Sequence, residues 1–170
     1  MGEGQILYAK VSNTYVLKFS GDVRYTICAP LSAFIKQLQQ QEFDDILIDL
    51  TETEGIDSTN LGLLARIANL VQDRFHHKTT VISTNANVNR ILETVGFYDV
   101  FTIDDQQQPR PVDAGDLPLV ADQEQEIADA VLQAHRTLAE LNAANREMFR
   151  SVVDALESEL VASQQPPSLH

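Results

Sequence analysis

Two short aliphatic runs constrain this chain more than any other feature. DILIDL (45–50) and KTTVIST (78–84) are β-rich, charge-ended or β-branched, and too short for buried helices. Each passes directly into a segment of helical period. In LGLLARIANLVQDRF, Leu61, Leu64, Ile67, Ala68 and Val71 share one face, with Arg66, Asn69 and Asp73 off it. In NANVNRILETVG, Asn85 or Asn87 offers an N-cap and Gly96 a C-terminal stop. Strands that alternate with helices in this way build a largely parallel sheet with short crossovers.

The flanking segments extend the pattern. QILYAKVS and YVLKFSGD read as two strands around a tight turn near Asn13 and Thr14. Pro30 opens PLSAFIKQLQQQ, where Leu31, Phe34, Ile35 and Leu38 recur at helical spacing. FYDVFTI supplies a last short strand. The expected unit is an α/β domain of order ββαβαβαβ over residues 1–103.

Residues 104–120 change character: DDQQQPRPVDAGDLP is polar, Pro-bearing and aperiodic, the composition of a linker. From 121 to 162 neither Gly nor Pro occurs, so one long helix is expected. Ile127, Val131, Ala134, Leu138, Leu141, Asn145, Met148, Val152 and Ala155 alternate steps of four and three, as in a coiled-coil seam. On that reading Leu138, Leu141, Asn145, Met148 and Val152 form a homodimer contact, with Asn145 as the polar residue that sets register. The competing reading folds an amphipathic helix back onto the chain's own first domain. Phe149, Val153, Leu156 and Leu160 widen the stripe towards its end. Residues 163–170 read as a disordered tail.

Charge narrows the partners. Twelve basic against 25 acidic residues give a net charge of −13, which disfavours nucleic acid and anionic lipid, both of which need clustered cations. A protein surface with a basic patch is the better complement. One cysteine, Cys28, excludes an internal disulfide and suits a reducing compartment. The first residues lack a basic segment followed by an apolar one, and Ile6 stands where a myristoylation motif wants Ser or Thr. No run reaches the roughly 18 apolar residues of a membrane span. A cytoplasmic protein is expected.

GIDSTNLGLL (55–64) carries the most distinctive chemistry. An acid and two hydroxyls stand where a strand hands over to a helix, and the helix leaves backbone N–H groups free there. Asp57 or Ser58 can cap one of them, and a carboxylate suits the positive end of the helix dipole. A phosphoryl group on Ser58 or Thr59 would meet the same N–H groups and dipole without unfolding the helix. It would place nearly two negative charges beside Asp57 and change a binding surface on an unchanged fold.

Taken with the element order, ILIDL…GIDSTNLGLLARI and the closing VNRILETVGFYDVFTI resemble the STAS domain of bacterial anti-sigma factor antagonists. The likeness covers roughly residues 5–103 and implies a serine phosphorylated by a switch kinase, often itself an anti-sigma factor. It further implies an unmodified form that binds the partner, and a PP2C-type phosphatase that restores it. By position, Asp57 matches the motif acid, Ser58 the phospho-acceptor, and Thr59 a place commonly Ser or Thr. Asn60 stands where that family usually has Gly, and the long C-terminal helix exceeds a minimal member. The partner-binding surface implied is Asp57, Ser58, Thr59, Asn60 and Gly62, where Gly62 either permits close partner approach or packs on the sheet.

Other chemistries find little support. Ser58 is outside G-x-S-x-G, and no histidine is placed by sequence to serve it. His76 and His77 are adjacent and read as an exposed pair at a helix end; no Cys or carboxylate spacing completes a metal site. Nucleotide-cradling motifs are absent, and a receiver-type acidic pair is misplaced at Asp44-Asp45. The chain is therefore expected to be non-enzymatic and free of cofactor and metal. Two functions remain: a phosphorylation-controlled partner switch, or a non-switching STAS adaptor in a transport or sensory complex.

Overall fold

The structure is a computed structural model that describes residues 2–108 and 111–164. Its elements run β1 (Gln5–Val11), β2 (Thr14–Val23), α1 (Ala29–Leu38), β3 (Asp45–Ile56), α2 (Ser58–Phe75), β4 (Thr80–Ile82), α3 (Ala86–Thr94), β5 (Thr102–Asp104), β6 (Gly115–Asp116), α4 (Gln123–Leu141) and α5 (Ala143–Gln164). The expected ββαβαβαβ order is present, followed by a short sixth strand and two helices rather than one.

The hairpin turns at Ser12 and Asn13, both at positive φ (48° and 67°), the combination that matches strand twist in a two-residue turn. The sheet order is β5-β4-β3-β2-β1-β6. β1 pairs antiparallel with β2, whereas β2-β3, β3-β4 and β4-β5 are parallel. Three crossovers step in one direction along that order, so right-handed connections carry α1, α2 and α3 on one face. The apolar stripes foreseen for α1 and α2 are buried there against Phe19, Ile46, Ile48 and Leu50. Asn85 caps α3 by accepting from the N–H groups of Asn87 and Val88, and Gly96 (φ 78°) lies just beyond the helix end.

Two strands differ from expectation. β3 does not stop at Leu50 but continues through TETEGI to Ile56, bulging opposite Lys18–Ser20 and again opposite Gly21–Asp22 to stay paired with β2. That extension carries the chain to Asp57. In the segment read as linker, Gly115–Asp116 pairs with Tyr8 and Leu7 on the sheet edge, and Leu117 is buried.

A long C-terminal helix is present, but the stretch expected as one helix is two, α4 and α5. Asn142 is extended (φ −163°, ψ 170°). Its side-chain oxygen accepts from the N–H of Asn145 at 2.8 Å, and its carbonyl from the N–H of Arg146. Asn is among the best N-caps, so a helix can restart here without Gly or Pro. α4 packs across α1 and α2, and α5 returns along α4, with Arg136 and Glu157 paired at 3.1 Å. α5 continues through Gln164; the rest of the tail lies outside the described residues.

Candidate functional site

Asp57 is the cap, and Ser58 is the first helical residue. One Asp57 oxygen (Oδ1) accepts from the backbone N–H and from the side-chain amide of Asn60, both at 3.0 Å. The other (Oδ2) accepts from the backbone N–H of Tyr25 at 2.6 Å. The Asp57 N–H donates to Val23 at the end of β2. A single carboxylate therefore joins the α2 N-terminus to the turn before α1. Asn60 is buried and helical, so it replaces glycine not by adopting a left-handed conformation but by bonding back to the cap.

Ser58 is half-buried, and Thr59 is 4% exposed. The Ser58 hydroxyl lies 2.8 Å from Nε2 of His135 on α4. The other ring nitrogen, Nδ1, is 2.7 Å from the Val131 carbonyl, which can only accept, so Nδ1 carries a proton. In the neutral ring Nε2 is then the acceptor, and Ser58 donates to it. No histidine is placed by sequence near Ser58, and the fold brings His135 to it. Nothing local in the sequence announces this contact, because 77 positions separate the two residues.

Gly62, one turn beyond Ser58, meets neither an open surface nor the sheet. A Cβ built there would lie 2.3 Å from the Ala134 carbonyl oxygen and 2.5 Å from the Ala134 Cβ. α4 crosses α2 at backbone contact, which only glycine permits. Of the five residues assigned to a partner surface, Ser58 and Gly62 thus lie against the chain's own helix α4.

Around this contact, Lys36 of α1 pairs with Glu126 at 2.8 Å and Asp129 at 2.7 Å on α4. Burial pulls the Arg66 guanidinium below its ordinary value, while Asp129 and Glu126 oppose that shift. Cys28 is buried, and its thiol is pushed up to about 12, first by burial and then by the Asp57 carboxylate. Two surface grooves of about 510 Å³ lie elsewhere, one along Ile35, Gln39, Arg66, Asn69, Leu70, Asp73 and Arg74, the other around Gly2, Asp22 and Arg24. Neither contains Ser58 or His135. Among the described residues no group of three or more His, Cys, Asp or Glu could hold a metal ion, and no helix is long and apolar enough to cross a membrane.

The residues foreseen as a dimer seam divide. Leu138 is fully buried inside the chain. Asn145 is buried too, and its amide donates to the carbonyls of Val95 (2.9 Å) and Leu138 (3.0 Å). It locks the helix corner to the end of α3. Leu141 is half-buried, whereas Met148 (46% exposed) and Val152 (39%) face outward on α5.

A family model for the STAS domain matches residues 5–108. That stretch includes α2 and Ser58 and ends before α4. No curated protein matches the chain.

Proposed function

The chain belongs to the STAS domain family, and from that premise we propose that it is a cytoplasmic, non-enzymatic partner-switching regulator, an anti-sigma factor antagonist. Ser58 is the hydroxyl to which a serine switch kinase transfers a phosphoryl group from ATP. The unmodified form binds that kinase or an anti-sigma factor, and a PP2C-type phosphatase restores it. The observation that carries this reading is the position of Ser58. It is the first residue of α2, directly after the Asp57 cap and at the end of β3. Thr59 is too buried to compete as acceptor. A dianion at this place meets the positive helix end, and it stands next to Asp57, so it changes the charge of the surface without unmaking the helix.

One observation favours a second reading, the non-switching STAS adaptor. Ser58 is already engaged by His135, as a structural hydroxyl would be. Intact-mass measurement of the protein from its native cells, with copurification of wild type, Ser58→Ala and Ser58→Asp, separates the two. A species heavier by one phosphoryl group, lost in Ser58→Ala, together with partners lost in Ser58→Asp, supports the switch. An unphosphorylated protein across growth conditions, with Ser58→Asp keeping every partner, sinks it.

Homodimerisation through Leu138, Leu141, Asn145, Met148 and Val152 requires α4 and α5 to leave the domain first, because Leu138 and Asn145 are spent inside the chain.

A further inference from the structure

We propose that α4 and α5 form an autoinhibitory arm that masks the Ser58 surface, so that the docked arm and a modified or partner-bound Ser58 exclude each other. The inference deepens the reading of Ser58 as a switch and rests on it.

Three observations meet at one place. The Ser58 hydroxyl points at His135 Nε2 at 2.8 Å, and that ring is held from behind by the Val131 carbonyl. A phosphoryl group on Oγ needs the space the ring occupies. Gly62 admits the Ala134 backbone so closely that not even a methyl group fits between the helices, so α4 cannot slide aside by small adjustments. Finally, the STAS match ends at residue 108, before the arm begins at Gln123. The arm is an addition to a domain whose own elements are complete without it.

The attachments suit a releasable arm. Its ion pairs to Lys36 involve a side chain about half exposed, and such pairs hold weakly. Against α2 the arm approaches through the small residue Ala134, although Leu138 and Phe149 also enter the core. The ladder of the sheet does not pass through it.

The test reads access to position 58 without any kinase. In the full chain, Ser58→Cys is treated with 5,5′-dithiobis(2-nitrobenzoic acid), and labelling at residue 58 is followed by peptide mass. The same is done with Gly62→Ala added, which forces α4 off while suiting helix α2 better than glycine does. Ala134→Leu, which places the bulk on the arm instead, guards against a Gly62→Ala chain that fails to fold. Hydrogen exchange is measured in parallel. Expected are slow labelling in Ser58→Cys, acceleration of roughly tenfold or more in either double variant, and faster exchange confined to α4 and α5. Labelling of Ser58→Cys at the rate of a free thiol overturns the inference, and so does no acceleration in both double variants. These results are independent of whether Ser58 is phosphorylated in cells, so failure of the arm and failure of the switch are told apart.

Discussion

Replacing Asp57 tests whether the residue is the structural joint its geometry describes. Asp57→Ala removes a helix cap, worth about 1 kcal/mol. It also removes the interaction of a carboxylate with the helix dipole, about 0.5 kcal/mol. The Asn60 side-chain amide, buried and bonded to the same oxygen, loses its acceptor at about 1–2 kcal/mol. Tyr25 is half exposed, so water takes over its N–H and that loss is about 0.5 kcal/mol. The whole comes to about 3–4 kcal/mol. Asp57→Asn keeps a carbonyl oxygen for Asn60 but turns an amide group towards the Tyr25 N–H, and should cost about 1 kcal/mol. In urea unfolding, where the slope for small proteins is ~1–3 kcal/mol per M, the alanine variant should lose at least about 1 M in midpoint and the asparagine variant about a third of that. If the two variants cost the same, or if Asp57→Ala unfolds within about 0.5 kcal/mol of wild type, the joint is not structural and the carboxylate is there only for a partner.

Further outcomes follow from the same contacts. Asn145→Leu should loosen the α4–α5 corner by about 1–3 kcal/mol, seen as faster amide exchange there and around Val95, rather than strengthening an association between chains. Light scattering on the full chain should return the monomer mass of 18.9 kDa; a dimer that survives in Leu138→Ala would refute the intramolecular seat of that residue. Cys28 should resist iodoacetamide at pH 8 in the native protein, since a thiol at about 12 is only about 10⁻⁴ thiolate there; stoichiometric labelling within minutes would contradict its burial. The folded thiol keeps its proton to higher pH than the unfolded one, so stability should fall as pH rises above the ordinary value of 9.0, by up to about 1.4 kcal/mol per unit. Cys28→Ala should flatten that alkaline slope.

Much of the domain was legible because its signals are local. The turn at Asn13, the Asn85 cap and the Gly96 stop each report one backbone conformation, and the apolar stripes of α1 and α2 report one buried face. The extension of β3 was hidden by TETEGI, a polar run that itself bulges to stay paired with β2, with Thr53 donating to the Phe19 carbonyl. The break at Asn142 was hidden because an asparagine cap interrupts a helix without the usual Gly or Pro. A coiled-coil seam and a helix docked on its own domain share one periodicity, so Leu138 and Asn145 answered to both. At the site, the cap was readable from four consecutive residues. The His135 contact was not, since it depends on where a distant helix comes to rest.

β6 gives the arm a thermodynamic setting. By pairing Gly115 and Asp116 with β1, the chain is pinned to the sheet only six residues (117–122) before α4 starts. A tether that short has an end-to-end reach of about 13–15 Å, and it presents α4 to its seat at an effective concentration on the order of millimolar. A competitor for the Ser58 face thus meets a rival that is always near, and its apparent affinity is divided by the ratio of that concentration to the arm's own dissociation constant. Lengthening the segment between Asp116 and Asp122 should therefore tune the threshold at which a partner wins, with no change to any residue that the partner touches.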